Sequence, residues 1–175
     1  RLRAGKRNLG GTPRVKLQNW LLIALLIVGL DQLTKQLADH LLMYGEPLAI
    51  FPSFNLTLLY NKGAAFSFLN SAGGWQRWFF TVVAVVVSVV IVFWLKAAGE
   101  EKRWTPAGLV LILGGAIGNV IDRVIFGHVI DFIQVYYDTF YWPAFNIADS
   151  AICVGAGILL LSGWLLQPQK ATQEG

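Results

Sequence analysis

The sequence predicts a mainly α-helical integral membrane protein with four transmembrane helices, a small β-containing cradle between helices one and two, and both termini in the cytoplasm. Composition is the first observation behind this prediction: 55% of the 175 residues are hydrophobic, only 14% are charged, and the mean hydropathy is +0.56. The second is a set of four apolar stretches, each about 20 residues long, which is enough to cross a hydrocarbon core of about 30 Å. The third is the uneven distribution of basic residues, which sets the orientation of membrane helices.

The four predicted spans cover residues 20–41, 75–95, 104–123 and 146–166. Tryptophans lie near their ends, as expected for side chains that prefer the membrane interface. The first stretch also suits a cleaved signal peptide, because basic residues precede its apolar run. It continues into DQLTKQLADH without a small-x-small cleavage site, which favours a span.

Lysine and arginine are distributed unequally between the two sides of this arrangement. With the N-terminus in the cytoplasm, ten of the fourteen basic residues lie on the inner side and four on the outer side. This excess follows the positive-inside rule. Six of the ten precede the first apolar run, so the pI of about 9.4 reflects topology and does not indicate a nucleic-acid partner.

The chain is expected to form one integral domain, residues 1–175, because too few residues remain outside the spans for a second core. Residues 1–15 are expected to be a basic tail outside this fold, either disordered or vector-derived. The single cysteine excludes an intramolecular disulfide. Two histidines without metal-ligand spacing give no reason to expect a metal.

The segment between the first two spans contains FNLTLLYN, whose apolar residues partly alternate. Alternation of this kind predicts a strand. We therefore expect a short strand or hairpin on the external surface of the membrane, which is the cradle of the predicted fold.

Polar residues of three spans fall at one level, toward the outside. They are Asp31 and Lys35 of the first span, Asn119, Asp122 and Arg123 at the end of the third, and Asn146 and Asp149 at the start of the fourth. Charged side chains inside membrane segments are costly unless they face partners or water, so their default interpretation is functional. The i, i+3 and i, i+4 spacings present each set to a common interior.

Structural roles also explain several of these residues. Asn146 and Asp149 have the spacing of a helix N-cap and its third residue, and Asp31 with Lys35 suits a structural ion pair. Cys153 lies among small apolar residues, which favours packing over a role as nucleophile. Close helix packing is the preferred account of the glycines in the third and fourth spans, namely Gly114, Gly118, Gly155 and Gly157.

Carboxylates are the only plausible chemical pair in the sequence. No serine or cysteine nucleophile motif is present, and His128 is expected in an external turn. Asp138 is expected to be solvated, whereas Asp131 is embedded in the apolar HVIDFIQV and can fold back beside Asp149, eighteen residues further along. Two neighbouring carboxyl groups share one proton, so one is a base and the other an acid. Such a pair can activate water against a peptide bond without metal or organic cofactor.

The ordered motifs DQLTK, NKGAAFSF, GGAIGNVIDR, GHVIDF and FNIADS resemble those of the bacterial lipoprotein signal peptidases, the signal peptidase II family. The resemblance covers about residues 20 to 166 and implies an aspartyl endopeptidase of the bacterial inner membrane with a periplasmic cradle. Its substrate would be a diacylglyceryl-modified prolipoprotein, cut before the lipidated cysteine. No cofactor, no nucleic acid and no obligatory protein partner are implied, and membrane lipid surrounds the enzyme.

The resemblance also assigns expected roles to residues of this chain. Asp131 and Asp149 match the catalytic aspartates of the family. The positions that match site-supporting or substrate-contacting residues are Asp31, Lys35, Asn61, Asn119, Asp122, Arg123 and Asn146.

Two other functional classes are compatible with a small polytopic protein. A proton-coupled transporter or channel subunit would need acids near mid-membrane and polar residues in both leaflets. The inner halves of the spans are nearly free of polar residues, which disfavours such a pathway. A non-catalytic assembly factor would leave the pairing of Asp131 with Asp149 unexplained.

Overall fold

Four long helices form the body of the protein. The computed structural model describes residues 16–63, 74–97 and 104–165. Helix α1 covers Leu17–Leu41, α2 covers Trp75–Ala97, α3 covers Trp104–Ile125 and α4 covers Ile147–Leu165. These bounds agree with the predicted spans to within three residues at each end. The expected basic tail at 1–15 and most of the NKGAAFSF motif lie outside the described residues.

Helices α1, α2 and α3 are long and apolar enough to cross a membrane. The apolar part of α4, Ile147–Gly163, is shorter than the apolar part of each of the other three helices. Three of the four predicted spans are therefore confirmed by length and composition, and the fourth stays a prediction. The protein is thus a multi-pass membrane protein.

Helix α3 is the centre of the bundle, because α1, α2 and α4 all pack against it. In its most apolar stretch 56% of the residues are buried, compared with 22% in α1 and 17% in α2. Small residues permit this close approach. A side chain on Gly108 would meet the Gly155 carbonyl at 2.9 Å, and one on Gly114 would meet Ile27 at 2.8 Å.

The glycine prediction is correct for the two contact faces of α3 and wrong at one position of α4. Gly114 and Gly118 lie against α1, and Gly155 lies against α3. Gly157 has nothing within 4 Å of the position its side chain would take, so it does not serve helix packing among the described residues. Cys153 is exposed, so the interpretation of this residue as a packing residue is also wrong.

A four-stranded antiparallel sheet lies beside one end of the bundle. Its strands, in spatial order, are β1 (Leu48–Phe51), β2 (Phe54–Asn61), β3 (Val129–Tyr137) and β4 (Phe140–Tyr141). Strand β2 is the predicted strand FNLTLLYN. The sequence predicted a cradle formed only by the segment between helices one and two. This prediction is wrong in part, because β3 and β4 come from the connection between α3 and α4.

Strand β3 explains why that part of the prediction was wrong. Its sequence VIDFIQVYY is rich in the β-branched and aromatic residues that favour strands, but its acidic and amide residues interrupt the apolar alternation. Pairing with β2 places Leu59 opposite Asp131 and Asn61 opposite Val129. Asp131 therefore lies on a central strand of the sheet and not in an irregular loop.

Candidate active site

The polar residues singled out in the sequence come together where α1, α3 and α4 meet strands β2 and β3. Those that are buried are Asp31, Lys35, Asn119, Asp122, Asp131 and Asn146, whereas Asn61, Arg123 and Asp149 are half-buried. All nine candidate residues belong to one connected region through the contacts described below. The i, i+4 spacing on α1 and α3 is what directs their side chains to the same side.

Lys35 is the centre of the buried charges. Its Nζ lies 2.8 Å from Asp31 Oδ2 and 2.8 Å from Asp122 Oδ2, and it donates to Asn119 Oδ1 at 3.0 Å. All three charged side chains are fully buried. The expected ion pair between Asp31 and Lys35 is therefore present, and Asp122 extends it to α3.

The two carboxylates bound to Lys35 each accept a backbone hydrogen bond. The Ala148 N–H donates to Asp31 Oδ1 at 2.8 Å, and the Ile130 N–H donates to Asp122 Oδ2 at 3.2 Å. Ala148 and Ile130 are the residues immediately before Asp149 and Asp131. Lys35 thus holds two carboxylates, and each carboxylate binds the backbone N–H of the residue just before one of the two candidate catalytic residues.

Gln32 is a site residue that the sequence analysis missed. Its Nε2 donates to Asp122 Oδ1 at 2.7 Å and to the Gly118 carbonyl at 3.2 Å. Gln32 therefore binds Oδ1 of Asp122, whose Oδ2 contacts Lys35. Its position beside Asp31, as a polar residue within an apolar span, was the available signal.

Three asparagine side chains donate directly to the two aspartates. Asn61 Nδ2 lies 3.0 Å from Asp131 Oδ2, and Asn146 Nδ2 lies 2.7 Å from Asp131 Oδ1. Asn119 Nδ2 lies 2.7 Å from Asp149 Oδ1. Both aspartates are held in fixed orientations by neutral donors, as a reactive group requires.

Asn146 combines a capping role with this contact. Its Oδ1 accepts the N–H of Asp149 at 2.9 Å, which is the expected N-cap bond to the third residue of α4. The same side chain donates to Asp131. A residue that ends a loop and starts a helix therefore also connects the two aspartates.

The pKa of Asp131 is raised from its ordinary 3.8 to about 7, mainly by burial and also by the negative charge of Asp149. The Asn61 and Asn146 donors and the Lys35 charge oppose this shift. Asp131 is only 3% exposed, so poor hydration of its carboxylate is the main cause. At neutral pH this carboxyl group can therefore both hold and release a proton.

Asp131 and Asp149 line one open cavity of about 900 Å³. Asn61 and Arg123 contribute polar groups to its wall. The guanidinium of Arg123 lies over the Phe80 ring at 5.7 Å, and its Nη1 donates to the Asn119 carbonyl at 3.3 Å. Its buried Nε has no hydrogen-bond partner among the described residues. Among the described residues, the cavity thus presents two carboxyl groups and one cation to whatever enters it.

Part of the lining of the same cavity is apolar. Phe80 of α2 and Ile152 and Val154 of α4 belong to it, and Cys153 also lines the cavity. The lining thus combines residues of helices α2, α3 and α4 with residues of strands β2 and β3. A molecule with a peptide part and a hydrocarbon part would find suitable surfaces for both.

Comparison with known proteins places this site in a family. The family model described as "Signal peptidase (SPase) II" matches residues 23–165. The chain is 50% identical over 151 residues to the lipoprotein signal peptidase of Acinetobacter baumannii, covering 86% of each protein. It is 53% identical over 154 residues to that of Paraburkholderia phymatum, covering 88% of this chain and 92% of the relative.

A solved structure described as a bacterial membrane enzyme has the same fold. It superposes with a TM-score of 0.79 at 28% identity, and the alignment covers 95% of this chain and 99% of that structure. Family model, relatives and fold agree over nearly the whole described chain. The chain therefore belongs to the signal peptidase II family and is a membrane aspartic peptidase.

Proposed function

We propose that this enzyme removes the signal peptide from diacylglyceryl-modified prolipoproteins, cleaving before the lipidated cysteine, with Asp131 and Asp149 as its catalytic pair. Membership of the family supports the removal of signal peptides from prolipoproteins. The observation that carries the residue assignment is that both carboxyl groups line one cavity and that the charge of Asp149 helps to raise the pKa of Asp131 to about 7.

The proposed reaction uses one shared proton. The ionised carboxylate removes a proton from water, and the resulting hydroxide attacks the scissile carbonyl carbon. The protonated carboxyl donates a hydrogen bond to the carbonyl oxygen and then transfers its proton to the leaving amine as the C–N bond breaks. Every proton is supplied by the pair or by water, so the reaction requires no metal or organic cofactor.

The remaining residues are proposed to support this pair. Asn61 and Asn146 orient Asp131, and Asn119 orients Asp149. Arg123 lines the cavity, and its Nε has no hydrogen-bond partner in the part of the chain that the structure describes; it is proposed to hold the substrate backbone. The buried group of Asp31, Lys35 and Asp122 is proposed to fix the strand and helix that carry the pair.

The substrate proposal is supported by the two kinds of surface in the cavity. Acyl chains of a diacylglyceryl group would contact the apolar lining residues Phe80, Ile152 and Val154. The peptide would meet the carboxyl groups and Arg123. Membrane lipid and prolipoprotein are the proposed partners, with no nucleic acid and no obligatory protein partner.

The proposed topology has four spans, one domain and both termini in the cytoplasm. Helix α4 has 19 residues, which would extend about 28 Å at 1.5 Å per residue, close to a hydrocarbon thickness of about 30 Å. With this topology, the sheet and the catalytic pair would lie at the periplasmic side of the inner membrane. At the other end of the bundle the buried cluster is apolar, formed by Ala24, Ile91, Leu95, Leu109, Val110 and Leu113. A proton pathway across the membrane is therefore not favoured.

The test is to express Asp131→Asn and Asp149→Asn separately and to follow the size of a diacylglyceryl-modified prolipoprotein on a gel. Loss of cleavage in both variants, at normal enzyme levels, is expected. Asp138→Asn is the matched control, because Asp138 is exposed in a turn with φ of 53°, a conformation that asparagine accepts. Processing at the wild-type rate by either site variant would remove that residue from the mechanism.

A further inference from the structure

A hydrogen bond outside the catalytic pair joins the sheet to the first helix. Tyr60 of β2 donates its hydroxyl hydrogen to Asp39 Oδ1 at 2.7 Å. Asp39 lies in the last turns of α1, one turn beyond Lys35. The bond therefore connects the strand beside Asp131 to the helix that carries the buried lysine.

The ring of Tyr60 lies between two other aromatic rings. Its centroid is 5.0 Å from that of Tyr44 and 4.3 Å from that of His128. Tyr44 belongs to the connection between α1 and β1, and His128 to the turn between α3 and β3. The side chain of Tyr60 therefore contacts three other segments: α1 through Asp39, the α1–β1 connection through Tyr44, and the α3–β3 turn through His128.

The position of Tyr60 in β2 links it to the catalytic pair. Leu59, just before it, is opposite Asp131 in the sheet, and Asn61, just after it, donates to Asp131 Oδ2 at 3.0 Å. Ring contacts tolerate sliding, whereas a hydrogen bond to a carboxylate fixes distance and direction. The hydroxyl of Tyr60 thus makes a directional connection between α1 and this part of β2.

We propose that Tyr60 is a positioning residue for peptide cleavage: its hydrogen bond to Asp39 holds β2 against α1 and so keeps the Asn61 amide on Asp131. This inference rests on the proposed function of Asp131. Tyr60 also lines the cavity, but it performs no chemistry in this proposal, and its effect on Asp131 is exerted through Asn61.

The effect has a signature that simple loss of folding would not give. The Asn61 amide favours the ionised form of Asp131, so loosening it raises the pKa of that carboxyl group. Removing the Tyr60 hydroxyl takes a hydrogen-bond donor from Asp39 and substitutes none of the other charged or titratable groups around the two residues. They are Lys35 of α1, Tyr44, Lys62, Asp122 and Arg123 of α3, His128, and Asp149 of α4.

The experiment measures kcat, KM and the pH profile of purified Tyr60→Phe on a diacylglyceryl-modified prolipoprotein. Loss of one hydrogen bond in a partly exposed position is expected to lower kcat about fivefold, with KM little changed. The fall in activity on the basic side of the profile should move to higher pH. Tyr137→Phe, which removes a hydroxyl from an 81% exposed tyrosine of the same sheet, is the matched control.

Variants of Asp39 test the partner. Asp39→Asn keeps an acceptor and should retain most of kcat, whereas Asp39→Ala should match Tyr60→Phe. The double variant Tyr60→Phe with Asp39→Ala should be no slower than either single variant, because both remove the same bond.

Three results would overturn the inference. They are a Tyr60→Phe enzyme with the kcat and pH profile of Tyr137→Phe, multiplicative losses in the double variant, and a lower melting temperature with unchanged kcat per folded enzyme. Asp131→Asn is assayed in parallel. If Asp131→Asn still cleaves, the proposed function fails; if it is inactive while Tyr60→Phe behaves as the control, only this inference fails.

Discussion

The Nζ of Lys35 lies 2.8 Å from Asp122 Oδ2, and neither side chain has any exposed surface. The same ammonium group pairs with Asp31, and the two carboxylates accept hydrogen bonds from the backbone N–H groups just before Asp149 and Asp131. A buried charge left without its partner is strongly destabilising. This ion group, formed by Asp31, Lys35 and Asp122, therefore connects the stability of the bundle to the geometry of the site.

Lys35→Met is expected to destabilise the protein and abolish cleavage. Methionine fills a similar volume but leaves two buried carboxylates side by side without a cation, at a cost of about 3–5 kcal/mol in the free energy of unfolding. The measurement is thermal unfolding of the purified protein in detergent, together with prolipoprotein processing. Lys62→Met, at an exposed position, controls for loss of a positive charge. Wild-type melting and cleavage by Lys35→Met would show that the ion group has no such role.

The raised pKa of Asp131 predicts the pH dependence of both activity and stability. Between its ordinary value of 3.8 and about 7 the folded protein keeps a proton that the unfolded chain releases. The contribution of this proton to the free energy of unfolding is fully present below pH 3.8, and it is lost as the pH rises from there to about 7. For activity, the shared proton leaves above about pH 7, so cleavage should fall on the basic side with a midpoint near there.

These changes are measured as kcat/KM and as melting temperature across the pH range. Asn61→Ala removes a donor to the ionised form, so the basic midpoint should move to higher pH. Asn55→Ala is the control, because its amide donates to Gln134 elsewhere on the same pair of strands. A rate that stays constant through pH 7 in the wild type would contradict the account.

The helices and their convergence could be predicted from sequence because the signals are local. Apolar length sets a span, and i, i+4 spacing puts Asp31 and Lys35 on one side of a helix. The N-cap role of Asn146 followed from spacing in the same way. Each of these depends on residues within one or two turns.

The rest of the site depends on contacts between distant segments. Strand β3 was missed because its pairing partner, β2, is about 70 residues away, and strand formation depends on such neighbours. Gln32 donates to a carboxylate on another helix, and nothing in its own surroundings identifies that acceptor. Cys153 faces the cavity and not the core because α4 packs on α3 through other residues. Helix rotation of this kind is set by the complete bundle.

Gly118→Ala is expected to disrupt the site without touching a charged residue. A methyl group at this position would lie 2.5 Å from Asp31 Oδ2, which already bonds Lys35, so the carboxylate or the helix must move. The expected loss is about 1–3 kcal/mol in the free energy of unfolding, with a marked fall in cleavage. Gly157→Ala is the matched control, since it makes the same change on α4 at a position where no atom of the described residues lies within 4 Å of the added methyl group. Equal behaviour of the two variants would mean that α1 and α3 are not packed as closely as described.

Cys153 offers a test of the cavity as the substrate site. It is the single cysteine of the chain, is exposed, and lies in the cavity wall one turn beyond Asp149. Because no chemistry is assigned to its thiol, Cys153→Ala should still cleave prolipoprotein. In the wild type, a bulky thiol-reactive maleimide should fill part of the cavity and inhibit cleavage in proportion to labelling, whereas the small methyl methanethiosulfonate should inhibit less. The alanine variant treated with the same maleimide is the control and should be insensitive. Full labelling with undiminished cleavage would show that the substrate does not pass this wall, and the assignment of the apolar surface to acyl chains would have to be abandoned.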